Sequence, residues 1–91
     1  MAQVKHEGGL VFQTNQYTVV KQVGKAGDKI ERHNHPEANV LFTVVKGKIA
    51  VKIEEEEFIL TPGKILQFDG NNHISADLLD DSEAFVTLIL K

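Results

Sequence analysis

The chain has 91 residues, 42% hydrophobic and 25% charged, with no cysteine and a formal charge of −3. That length suits one domain spanning residues 1–91. The composition is that of an ordinary globular protein, and the missing thiols exclude disulfides, thiolate metal sites and a cysteine nucleophile. Basic residues are scattered lysines with a single arginine, Arg32, which argues against the concentrated positive face that nucleic acid or an anionic membrane requires.

In chain order, short β-type runs alternate with turn residues. Leu10–Phe12 is apolar, and Tyr17–Val23 is rich in valine. Gly24 and Gly27 bracket a turn, after which Lys29–His35 reads as a strand ended by Pro36. Val40–Val45 is a continuous apolar run, the pattern of a strand covered on both faces. Lys46-Gly47 turns the chain into Ile49–Ile53, whose alternation predicts a half-exposed strand. The acidic run Glu54-Glu55-Glu56-Glu57 reads as a solvated hairpin turn, because adjacent carboxylates repel one another. Phe58–Leu60, a Thr61-Pro62-Gly63 turn and Ile65–Phe68 follow. Asp69-Gly70-Asn71-Asn72 is the strongest turn signal. His73–Leu79 alternates weakly, an acidic turn covers Asp80–Glu83, and Ala84–Leu90 is a last strand. About eight or nine short strands with short connections predict an antiparallel sandwich or barrel. The polar first residues lack the apolar run of a signal peptide, and no stretch approaches a membrane span, so the expected location is the cytoplasm.

The chemistry-bearing residues are the histidines. His33 and His35 are two apart on a predicted strand, so alternation sends both imidazoles to one face, where a pair can chelate one ion. His73 follows a tight turn and completes a site if the barrel carries its strand across. Arg32 is expected to face away from His33. Tyr17 is a candidate hydroxyl donor, and Phe42 and Phe68 are candidate cavity-lining or core residues. Glu31, Glu37 and Asp69 lie near the histidines in sequence and read as solvated.

Gly27 precedes His33-Asn34-His35-Pro36, and Gly47 closes the next strand. Downstream stand Thr61-Pro62-Gly63, an apolar strand, Gly70 and His73. This arrangement resembles the two motifs of the cupin superfamily over most of the chain. The resemblance implies an all-β antiparallel jelly roll. It also implies His33, His35 and His73 as ligands of one divalent transition metal ion: Zn, Fe, Ni, Mn or Cu. The glutamate of the family's first motif is absent; depending on register its place falls on Asn39, a neutral substitute ligand, or on Val40, which offers none. In the second motif the proline is replaced at Phe68 or Asp69, and the strand is one residue short. The functional expectation is a small metal-binding cupin, a metal-dependent dioxygenase, isomerase or lyase acting on a small molecule. The alternatives are a non-catalytic metal- or ligand-binding cupin and a structural cupin with a vestigial site. A homodimer is expected, with Ile74, Ala76 and Leu78 covering either a partner or the protein's own second sheet.

Overall fold

The computed structural model describes residues 2–91, which form nine strands. They are β1 (Gly9–Gln13), β2 (Tyr17–Gly24), β3 (Lys29–His33), β4 (Ala38–Lys46), β5 (Ile49–Ile53), β6 (Glu56–Leu60), β7 (Ile65–Asp69), β8 (Ile74–Leu78) and β9 (Ser82–Leu90). The strands build a five-stranded sheet in the order β1-β2-β9-β4-β7 and a four-stranded sheet in the order β3-β8-β5-β6. Every pairing is antiparallel. The architecture is a jelly roll, as the turn spacing predicts. Among the described residues no helix is long and apolar enough to cross a membrane.

Alternation decides what each sheet buries. On β4, Ala38, Val40, Phe42 and Val44 face the second sheet and are buried, while Val45 at the strand's end is exposed. The expectation that this run is covered on both faces is therefore corrected. Its inward residues carry the burial, and its outer residues Leu41 and Thr43 lie on an open sheet surface, only half-buried by cross-strand neighbours. Ile74, Ala76 and Leu78 are buried against the protein's own core, not presented to a partner.

The packed core fills one end of the barrel, where Val44, Ile49, Val51, Leu60, Leu78 and Ala84 meet. Gly47 helps to close this end. Its φ is +85°, and a Cβ there would collide with the Ser82 side chain and the Asp81 carbonyl, so the chain needs glycine at this crossing. Ser82, buried, accepts the Lys48 N–H at 3.1 Å and donates to the Asp80 carbonyl at 2.7 Å. The other end of the barrel, beyond Phe42, is less filled, and the histidines stand there.

Candidate functional site

His33 reaches the barrel interior because β3 carries a bulge. Ile30 pairs with Ala76 and His33 with Ile74, so three steps on β3 match two on β8. Without the extra residue, Ile30 and His33 would sit on opposite faces; with it, both turn inward. His35 arrives by another route. β3 ends at His33, and His35 lies in the connection to β4. Its N–H donates to the Gly70 carbonyl at 2.8 Å, the Ala38 N–H donates to the His35 carbonyl at 3.0 Å, and the Gly70 N–H donates to the Ala38 carbonyl at 2.9 Å. The shared face for the two imidazoles is thus present, although strand alternation carries only one of them. Their rings meet edge to face with centroids 4.8 Å apart.

The pair stands at the polar end of a cavity of about 190 Å³. Val40, Phe42 and Phe68 line it, as the sequence anticipates for the two phenylalanines. So do Val20 and Gln22 of β2 and Val86 and Leu88 of β9, which sequence reasoning missed. The signal was there: Val20/Gln22 and Val86/Leu88 are spaced by two on their strands and face inward together. No lysine, arginine, aspartate or glutamate lines the cavity.

Of the two residues competing for the absent glutamate's place, Val40 lines the cavity and Asn39 does not. Asn39 is exposed between the buried Ala38 and Val40. It stands on the face opposite the cavity, since neighbouring strand residues point to opposite faces. Tyr17 also lies away from the cavity, exposed at the start of β2.

His73 takes a different position from the other two histidines. Its neighbour Ile74 faces inward and lines the cavity, and His73 itself is bound to Glu54 in the β5–β6 turn. Glu54 accepts the His73 backbone N–H at 2.6 Å and lies 3.2 Å from His73 Nδ1, and its own N–H donates to the His73 carbonyl at 3.0 Å. Arg32, turned away from His33 as expected, completes this cluster with Nη2 3.2 Å from Glu54. Among the described residues, no three His, Cys, Asp or Glu side chains are gathered to hold a metal ion. Alternation on β8 turns Ile74, Ala76 and Leu78 inward, which leaves His73, the residue before Ile74, off that face.

Of the acidic run only Glu54 and Glu55 form the turn, while Glu56 and Glu57 already belong to β6, and Glu54 is more than a solvated charge. Its φ of 51° places it in the left-handed region. The His73 backbone hydrogen bond, and after it the His73 side-chain hydrogen bond, hold its carboxyl below the ordinary value of 4.5. A depressed carboxylate stabilises the fold above its unfolded-state pKa, and that contribution is lost as pH falls through the lower folded value. Glu54→Gln is therefore expected to lower the urea midpoint at neutral pH. The gap to the parent should close as pH drops below the carboxylate range; a gap that stayed constant into acid would contradict the ionic role.

The two antiparallel sheets and the cavity between them define a small jelly-roll barrel. The chain belongs to the cupin domain family, whose profile matches residues 20–85. It is 38% identical over 56 residues to an oxidoreductase of Arthrobotrys oligospora, a match covering 59% of this chain and 22% of that protein. The chain thus spans about a fifth of the length of the curated relative it matches. Among solved structures it is similar to KdgF from Halomonas sp., with a TM-score of 0.83 and 23% identity over 90% of this chain and 76% of that one. It is also similar to an RmlC-like cupin from Desulfovibrio desulfuricans, with a TM-score of 0.82 and 19% identity over 89% and 78% of the two chains. At these identities the structural likenesses show the fold alone.

Proposed function

We propose that this cupin binds a small molecule in the cavity at the open end of its barrel, with His33 and His35 as its polar contacts. The observation that supports this reading is the cavity itself: apolar walls from both sheets converge on two imidazoles and no charged side chain. Such a concave, mostly apolar site with a few convergent polar groups is the usual form of a small-ligand site. Catalysis has less support. The cavity offers no carboxylate to work beside the imidazoles, and the oxidoreductase activity named for the fungal relative belongs to a protein of which this chain matches a small part.

A metal ion is the competing reading, and one observation favours it. Two of the three histidines hold Nδ1 against an oxygen, the Glu31 carbonyl for His33 at 2.7 Å and the Glu54 carboxylate for His73 at 3.2 Å, while His35 Nδ1 stands 3.6 Å from the Glu37 carboxylate. That is the outer support typical of ligating imidazoles. Yet as arranged the cavity supplies two of them, short of the three protein ligands usual for a catalytic zinc. The donor set does not fit such a centre, and no reaction step is assigned to an ion here.

Thermal-shift screening separates the readings. Small uncharged apolar compounds should raise the melting temperature of the parent, and Val86→Phe, which turns a ring into the cavity, should abolish the effect while keeping the fold by circular dichroism. Ligand present at about 100 times its Kd contributes about 2.7 kcal/mol. Stabilisation by zinc, iron, nickel, manganese or copper alone, lost on replacing His33 and His35, would favour the metal. No response to either would remove the binding reading.

A second copy of the chain is the partner proposed, packed on the outer face of the five-stranded sheet. Leu41, Phe85 and Ile89 share that face by register, and an antiparallel sheet that met only water there would be expected to be more polar.

A further inference from the structure

The hydrogen bond that fixes the His33 imidazole also decides what that ring can recognise. The Nδ1 of His33 lies 2.7 Å from the Glu31 carbonyl oxygen. A carbonyl only accepts, so Nδ1 carries the proton and, in the neutral ring, Nε2 keeps a lone pair. The Nδ1 of His35 lies 3.6 Å from the Glu37 carboxylate, too far for a hydrogen bond. Among the described residues no hydrogen bond engages Nε2 of either ring. His33 therefore turns an acceptor, not a donor, toward a ligand.

Two further constraints come from the walls. With no charged side chain lining the cavity, an ionised ligand group placed there would be desolvated without a counter-charge. An apolar cavity of about 150 Å³ accepts a benzene ring. This one, at about 190 Å³, has room for one ring and roughly one or two more heavy atoms.

We propose that the cavity selects an uncharged, compact apolar molecule, one ring or its equivalent in size, bearing a single hydroxyl that donates to Nε2 of His33. A phenol is the simplest member of this class. The Gln22 amide, the other polar group in the wall, can hold a second polar atom on the same molecule. The inference rests on the ligand-binding reading above and narrows it.

Calorimetric titration at pH 8 with p-cresol, toluene and benzoate tests it, since the three share a ring and differ in the group offered. p-Cresol should bind about fivefold or more tighter than toluene, the effect of one net hydrogen bond, and benzoate should bind weakest. In a variant carrying both His33→Ala and His35→Ala, toluene binding should persist while the p-cresol advantage disappears. Equal binding of p-cresol and toluene by the parent would overturn the donor selectivity and leave the cavity reading standing. Tighter binding of benzoate would overturn the claim that the ligand is uncharged. Failure of both toluene and p-cresol to bind the parent would overturn the selectivity and the cavity reading together.

Discussion

Gly70→Ala should lower the melting temperature by about 12–24 °C, the effect of about 3 kcal/mol in a domain of this size. The φ of Gly70 is not the reason. An added Cβ would collide with the carbonyl oxygens of His35 and Ala38 and come within 2.9 Å of the His35 carbonyl carbon. Those atoms are backbone, and three hydrogen bonds of 2.8–3.0 Å tie them to one another and to residue 70, so none can give way cheaply. The loop that positions His35 must move, and ligand binding should weaken along with stability. Gly63→Ala is the control. Its φ is +93° but nothing lies within 4 Å of the added Cβ, so it should cost only about 1–2 kcal/mol of backbone strain and leave binding unchanged. Equal, small losses for the two variants would mean that the β7–β8 turn does not clasp the His35 loop as described.

Phe42→Ala should cost about 3–5 kcal/mol. Phe42 is 1% exposed, belongs to the packed core and also walls the cavity. Small domains have total stabilities of about 5–15 kcal/mol, so the variant should be close to unfolding at physiological temperature. Because the deleted ring leaves its space contiguous with the cavity, added toluene should recover part of the lost melting temperature. A loss under about 1 kcal/mol would place Phe42 outside the core.

Much of the fold was legible because glycines, prolines and polar pairs punctuate the chain at strand length. Lys46-Gly47, Thr61-Pro62-Gly63 and Asp69-Gly70-Asn71-Asn72 all mark true strand boundaries. What failed to show were features that depend on pairing. The apolar run Val40–Val45 looked covered on both faces, whereas register leaves its outer residues on an open sheet surface. The bulge that turns His33 inward exists only as a mismatch between β3 and β8, and nothing in Glu31-Arg32 announces it. His35 was rightly grouped with His33, but for a reason that fails, since a loop held by Gly70 and not strand alternation brings it there. His73 shows the reverse: its place beside a glycine turn is legible, while the inward facing of Ile74 depends on the register of β8 against β3 and β5. The contributions of β2 and β9 to the cavity were invisible until the sheet order placed those strands beside β4.

His33 and His35 serve one cavity, while His73 is held by Glu54 outside it. The most direct measurement is the long-range proton–nitrogen NMR spectrum of the histidine rings as p-cresol is added. The Nε2 signals of His33 and His35 are expected to move together with the methyl signals of Val40 and Leu88, while His73 stays still. Movement of His73 in step with the other two, or a response confined to His73 and its neighbours, would contradict it.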